Sequence, residues 1–504
     1  MSTRAAPLIT LLLAIVAIVF VNLLAQRYKF RADLTGDKRY TLDRATLELI
    51  QGLPETVTVT AYFTGDLPPE LAVVRQDFKD LLVEYAERSG GKLVFEFEDP
   101  GSSDLVAAKA MQEGVRPLLA QTRQKDRSEN IQVLMGAVVR MGERSSAIPA
   151  LQEGPGMEWI LSSAIAQVIR IEKPLIGIMQ GHMEPSTRDL DELATLLNAQ
   201  YDVEATAIYD SFPINERFTS ILVIDPKDSI SAWHLKLIDD YMAKGHGVVL
   251  AFSAVETNLA VSPEARMRDI GISPWLARHG VRIGPGIVVD EHCGQVGVMQ
   301  SAIQQPISIQ FPYYPLLEQF NEHPVAHGLD MVMFQFASPM TFIGDSTKLR
   351  FSPILSTSSR SGLKYTPLTI DLRKKWTDAD FPLGPQVLGG AVEPVDTSAG
   401  RLVVFSNGNF CTGDQGGQQA ALPKGNLDLM VNATDWVTRN TELLSIRGKQ
   451  KNYRPITDPG DTERSFLKWL NLLLPIVVVL LYGLFRGQWR RQQRKRRMAP
   501  DHVR

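Results

Sequence analysis

Cysteine is scarce: 504 residues contain Cys293 and Cys411 only, and neither belongs to a CxxC pair. That removes dithiol redox chemistry. An oxidising compartment would permit a disulfide between the two, but cysteines this far apart do not predict one, and both can equally be buried thiols. Nucleotide signatures are missing as well. No GxxxxGK followed by Ser or Thr occurs, so the chain does not hydrolyse ATP through a P-loop. No GxGxxG follows the strand-like "LIGIM", which leaves dinucleotide binding unsupported. A GxSxG elbow for a serine nucleophile is also lacking. Positive charge on the body is short too. The formal net charge is −3, and setting aside the seven basic residues of "RGQWRRQQRKRR" (486–497) takes it to −10. Nucleic-acid binders carry their positive charge on the folded body, so nucleic acid is excluded as a partner.

What is present begins with two apolar runs. Residues 465–485 contain a single charge, Lys468, and as a helix would extend roughly 30 Å, enough for a bilayer core. Trp469, Tyr482 and Trp489 suit the interfaces, and Lys468 can snorkel. At the other end, Pro7 to Ala25 is uncharged and apolar apart from Thr10 and Asn22. A cleavable signal peptide is the rival reading there, but "LLAQ" offers a poor cleavage site, which favours an uncleaved anchor. Arg27, Lys29 and Arg31 after the first run oppose an outward body. The seven basic residues after the second outvote them under the positive-inside rule. The expectation is a bacterial inner-membrane protein with two spans, both termini cytoplasmic, and residues from about 28 to 464 outside.

The outer part reads as α/β. "TVTVTAYF" (56–63) and "KLVFEFED" (92–99) alternate as strands, with a helical spacing over "PPELAVVRQDFKDLLVEYAER" between them. Thr41 is a candidate N-cap for a short helix ending near Gly52. A helix at 103–113 and strands at 131–141 and 144–149 complete a β-α-β-α-β-β order, which resembles the thioredoxin fold without its redox pair. Residues 156–173 read as an amphipathic bridging helix. A doubly wound pattern follows: strands at 174–179, 203–209, 220–225 and 247–253, and helices at 186–200, capped by Ser186, and 231–245. Residues 254–400 lose the alternation and read as an elaboration of this second domain. A strand at 401–410 and a helix at 425–440 close it. The expected organisation is therefore an N-terminal stub and span (1–27), a thioredoxin-like domain (28–155), the bridge (156–173), a Rossmann/flavodoxin-like domain (174–450), a linker (451–464), a second span (465–485) and a basic tail (486–504).

Three features together carry a resemblance: "RADLTGDKRYTLDRATLELIQGLPETVTVTAYFTGDLP" just after an N-terminal span, "KPLIGIMQGHMEPS" opening the second domain, and a C-terminal span. In these the chain resembles the GldG-like auxiliary components of ABC transport systems associated with gliding motility. The resemblance implies a membrane-anchored extracytoplasmic subunit beside an ABC-2-type permease and a separate ABC ATPase, contacting cargo or a cell-envelope component. The second domain is also similar, at fold level only, to the GIFT-type domain of intraflagellar-transport proteins.

In a doubly wound sheet, ligands bind beyond the carboxyl ends of the strands. Those ends supply Gln180, His182, Glu184, Asp225, Ser253, Asn407 and Asn409, of which Gln180, His182, Glu184, Asp225 and Asn407 are the candidate ligand-binding residues. His182 and Glu184 can act as acid and base or as metal ligands, or simply hydrogen-bond their loop. The loop-bonding role is favoured, because nothing else completes a site. "DEHC" (290–293) and the pair His323 and His327 lack a recognisable ligand spacing, so neither a metal nor a cofactor is expected. The aromatic run "QFPYYPLLEQF" (310–320) reads as loop packing rather than a stacking surface. The leading function is a non-catalytic auxiliary subunit. The alternatives are a periplasmic glycan- or lipid-headgroup-binding protein using the strand-end cleft, and a hydrolase built on His182 and Glu184. Asn22 and Asn471 are costly to leave facing lipid, which makes them candidate contacts to a partner's membrane helix.

Overall fold

Alternation builds the first sheet. In β1 (Val57–Phe63), Val57, Val59, Ala61 and Phe63 enter one core while Tyr62 enters another on the opposite face. The computed structural model describes residues 20, 41–65, 67–124, 127–151, 156–170, 172–259, 262–300, 305–396, 398–412, 422–440 and 461–497. The 7–25 run with Asn22, most of the expected linker and the end of the basic tail lie outside the described residues. The chain forms two units, Met1–Lys451 and Asn452–Arg504.

The first unit opens with α1 (Arg44–Gln51). Asp43, not Thr41, is its N-cap: its carboxylate accepts from Ala45 N at 3.0 Å. After β1 come α2 (Pro69–Arg88), β2 (Leu93–Glu98), α3 (Asp104–Gln112), β3 (Pro117–Gln124), β4 (Arg127–Met141), β5 (Arg144–Ile148) and α4 (Met157–Ile169). β1 pairs parallel with β2 and antiparallel with β4, and β5 pairs antiparallel with β4. β3 forms an unanticipated hairpin with the first half of β4. Its sequence, "PLLAQTRQ", lacks a clean apolar alternation. The expected bridging helix is α4, and its apolar face belongs to the core of this first sheet: Met157, Leu161, Ile165 and Val168 pack with Val59, Phe78 and Tyr85. Glu158, buried at its start, accepts from Asp43 N and Thr46 Oγ1, both at 2.6 Å, and so locks α1 onto α4.

β6 (Leu175–Gln180), α5 (Asp191–Asn198), β7 (Asp202–Ala207), β8 (Phe218–Ile224), α6 (Ala232–Ala243) and β9 (Gly247–Ala251) follow. Ser186 does not cap α5, which begins only at Asp191. Its hydroxyl instead donates to Asp189 Oδ2 at 2.7 Å and closes a turn. α6 falls inside the expected 231–245 helix, and its N-cap is Ser231, whose Oγ accepts from His234 N. Beyond a helix α7 (Ile272–Arg278), the elaboration contains β10 (Gln305–Leu317), so the aromatic run is largely strand rather than loop. Phe311 and Tyr313 are buried beside Phe336 and Trp376. The chain then returns to the main sheet as β11 (Gln319–Phe320), β12 (Leu349–Ser356) and β13 (Val387–Pro394), before β14 (Leu402–Phe405) and α8 (Lys424–Val437). The eight-stranded sheet runs β11-β12-β13-β14-β9-β8-β6-β7. Its segment β7-β6-β8-β9-β14 is parallel throughout. In chain order those five strands are arranged 2-1-3-4-5, an order of doubly wound sheets. α5 and α8 cover one face and α6 and α7 the other. Arg170, the C-cap of α4, donates to Asn440 Oδ1 just beyond α8. Both cysteines are free thiols.

The second unit contains α9 (Asp461–Arg497), with Asn471 and Pro475 inside it. Its stretch Arg464–Gln492 holds an 18-residue segment of mean hydropathy 2.0 and, among the described residues, is the helix long and apolar enough to cross a membrane.

Candidate functional site

The strand-end residues singled out from the sequence fall into two networks. The first is centred on Asn407, two residues past the end of β14 and 1% exposed. Its Oδ1 accepts from Gln335 N at 3.2 Å, and its Nδ2 donates to Gln335 O and to Asn409 Oδ1, each at 2.8 Å. One amide thus pairs with a neighbouring backbone as a strand would. Gly408 N donates to Ser253 Oγ at 2.8 Å. Asp225 sits at the end of β8 with φ +42°, a conformation an Asp tolerates better than most residues. Its N–H donates to Ala251 O, and its buried carboxylate accepts from Arg268 Nη1 at 3.2 Å. Gly408 is packed so closely on it that a Cβ there would lie 2.2 Å from Asp225 Oδ1. Buried Cys411 lies near the same carboxylate. Burial first, and the Asp225 charge second, push its thiol far above the ordinary range.

The second network starts at the end of β6. Gln180 Nε2 donates to Met179 O and Pro185 O, bracing the loop. Gly181 (φ +119°) and Met183 (φ +60°) bend it sharply around His182. The Glu184 carboxylate accepts from His182 N at 2.6 Å and meets His182 Nδ1 at 3.2 Å. Burial alone would raise the Glu184 carboxyl, but the ring and backbone hydrogen bonds from His182 outweigh it and hold it below the usual range. The other face of the ring reveals what the sequence did not: His182 Nε2 lies 2.9 Å from Nδ1 of His234 in the first turn of α6. His234 Nε2 in turn lies 2.9 Å from Asp210 Oδ1 in the β7–β8 connection. The result is a continuous chain, Glu184–His182–His234–Asp210, from a covered carboxylate to an exposed one. The only local hint was a His placed three residues into a Ser-capped helix. Backbone bonds from Lys227 N and Asp228 N to His182 O tie the β8 end to the same loop.

Metal-type residues elsewhere disperse. Asp290 accepts from Ser358 Oγ at 2.6 Å, Glu291 pairs with Arg360, and His292 with Glu318, so the "DEHC" side chains diverge. Burial raises the Cys293 thiol to about 11. His323 caps a short turn, meets the Trp436 ring edge-on, and is lowered to about 4 chiefly by burial. Among the described residues no group of three or more His, Cys, Asp or Glu side chains converges on a metal position. One groove of about 550 Å³ lies between α5 and edge strand β7, lined by Thr187, Arg188, Asp191 and Val203 among others. Another of about 430 Å³ is lined by Glu291, His292, Glu318 and Arg360. None of Gln180, His182, Asp225 and Asn407 borders either.

Residues 173–433 match the family described as "ABC-type uncharacterized transport system", and residues 36–140 match a domain of unknown function. An uncharacterized protein of Borreliella burgdorferi is 20% identical over 515 residues, covering 95% of this chain and 96% of that protein. Among solved structures, the mmIFT52 N-terminal domain aligns with 52% of this chain and 97% of its own at 14% identity and a TM-score of 0.35. A putative thua-like protein from Parabacteroides merdae aligns with 53% and 91% at 12% identity and a TM-score of 0.31.

Proposed function

The chain belongs to the family of auxiliary components of ABC-type transport systems, and from that premise we propose that it is a non-catalytic, membrane-anchored subunit working beside an ABC-2-type permease and a separate ABC ATPase. The observation that carries the proposal is the family match over 173–433, together with the apolar stretch Arg464–Gln492 further along the chain. In this reading the thioredoxin-like first lobe and the Rossmann/flavodoxin-like second lobe lie outside the inner membrane and engage cargo or an envelope component. The 7–25 run forms the second anchor, and both termini are cytoplasmic. Neither lobe needs a bilayer helix to bury its core, so paired anchors favour recognition in the membrane plane. There Asn22 and Asn471 would face permease helices, since an amide left in lipid is costly.

The test is recovery of the complex from its own membranes in mild detergent, with the co-purifying chains identified by mass spectrometry. A polytopic permease and a nucleotide-binding subunit are expected, and Asn22→Leu with Asn471→Leu should reduce their recovery. A chain that purifies alone would overturn the assignment of partners. Topology is read separately, with Gln300→Cys and Pro500→Cys introduced singly into a background lacking Cys293 and Cys411. An impermeant thiol reagent should label position 300 and not 500 in intact cells.

A further inference from the structure

The four-residue chain at the strand ends is proton-counted by its own geometry. Glu184 Oε1 faces His182 Nδ1, His182 Nε2 faces His234 Nδ1, and His234 Nε2 faces Asp210 Oδ1. With both carboxylates ionised, the two outer contacts each require a ring N–H, and the inner contact requires one more. Three N–H groups on two imidazoles amount to one imidazolium and one neutral ring. The ring centroids are 5.2 Å apart at an interplanar angle of 81°, so the inner nitrogens meet nearly head-on, as a shared proton requires. We infer that Glu184, His182, His234 and Asp210 form a proton-operated latch, in which a single extra proton held between the two histidines joins two strand-end loops to the first turn of α6.

Each loop contributes through a named contact. The β6 loop brings Glu184 and His182, α6 brings His234, and the β7–β8 connection brings Asp210. Trp233 Nε1 donates to Asp210 O at 3.0 Å, so the same connection is held twice. The latch carries exposed aromatics with it: Tyr209 and Phe212 flank Asp210, and Trp233 precedes His234. The remaining nearby charges are otherwise engaged. Asp225 is paired with Arg268, Lys236 is paired with Asp240 and lies over the Trp233 ring, and Lys227 and Asp228 offer His182 only their backbone N–H groups.

The latch opens in both directions. Removing the shared proton leaves two ring N–H groups for three contacts, and the contact given up is the one to Asp210, whose exposed carboxylate water can hydrate while covered Glu184 keeps its N–H. Adding a second proton sets N–H against N–H between the rings, and the inner contact is lost. The experiment is hydrogen exchange by mass spectrometry on the full-length chain in detergent, from about pH 5 to about pH 9, across the histidine range. Protection is corrected for the intrinsic pH dependence of exchange. Peptides covering 181–186 and 207–213 should be most protected at an intermediate pH and lose protection roughly tenfold at each extreme, the effect of one charge-assisted hydrogen bond. Asp210→Asn should abolish the alkaline loss, because an amide can donate to the bare ring nitrogen. His182→Gln should abolish the acid loss, because its amide oxygen accepts from His234 in either protonation state. Asp210 is exposed, so its variant remains informative if His182→Gln folds poorly. Protection that is flat with pH in the wild type, or an alkaline loss that survives in Asp210→Asn, would overturn the latch.

Discussion

Two polar networks share one end of one sheet, and they are built on opposite terms. The network around Asn407 and Asp225 is sealed. Its amide is spent on the Gln335 backbone and Asn409, its carboxylate on Arg268, and Gly408 leaves no room for an incoming group. The chain from Glu184 to Asp210 is graded: Glu184 has 1% of its side chain exposed and Asp210 82%. The first arrangement holds its amide and its carboxylate on fixed partners, so it stabilises one conformation. The second depends on a proton that solvent can supply or remove. Polar residues at the carboxyl ends of strands are therefore not one class, and only the second group can respond to its surroundings.

The contrast is most severely tested at Asn407. Asn407→Ala strips the buried Gln335 backbone of both partners and leaves a small cavity. It should cost about 4 kcal/mol, measured by denaturant unfolding of the full-length chain in detergent, with no change in pH dependence. A loss below about 1 kcal/mol would mean that water replaces the amide and that the network is not sealed. Asp225→Asn comes next. Asn tolerates the same backbone conformation, so the change isolates the charge left on Arg268, and about 3 kcal/mol should be lost. A double variant that also replaces Arg268 with Met should recover part of it.

Smaller effects belong to the graded chain. Glu184→Gln should cost about 1.5 kcal/mol near neutral pH. Because the folded-state carboxyl of Glu184 is held below its ordinary value, its stabilisation is present above the unfolded value and is lost as pH falls through the folded one. The variant should accordingly show less acid destabilisation than the wild type over that window, and an unchanged slope would refute the assignment. The smallest stability effect is expected at Asp210, where Asp210→Asn should fall within about 0.5 kcal/mol of wild type while altering the pH response of local exchange. Thiol labelling sharpens the same comparison without mutation. Near neutral pH Cys293 should react slowly and Cys411, sealed beside Asp225, only after unfolding.

Local signals in the chain were enough to locate most elements. The alternation in "TVTVTAYF" placed β1, the apolar runs "ILVI" and "GVVLA" placed two buried parallel strands, and the segment 231–245 held α6. The apolar stretch inside α9 was equally legible, because its length and composition need no partner to be recognised. Where neighbouring residues offered competing signals, the reading slipped: Asp43 displaced Thr41 as a cap, and Ser186 closed a turn instead of starting α5. The candidate site was half visible. Position after a strand singled out His182, Glu184, Asp225 and Asn407, but their roles depend on partners far away in sequence. His182 meets His234 across 52 residues, and Asn407 meets Gln335 across 72. The attachment of α4 to the first sheet was likewise decided by burial against Val59 and Phe78. Periodicity and capping are properties of a few consecutive residues and can be read along the chain. Which polar groups share a proton, and which are sealed away, is set by loops brought together only when the sheet assembles.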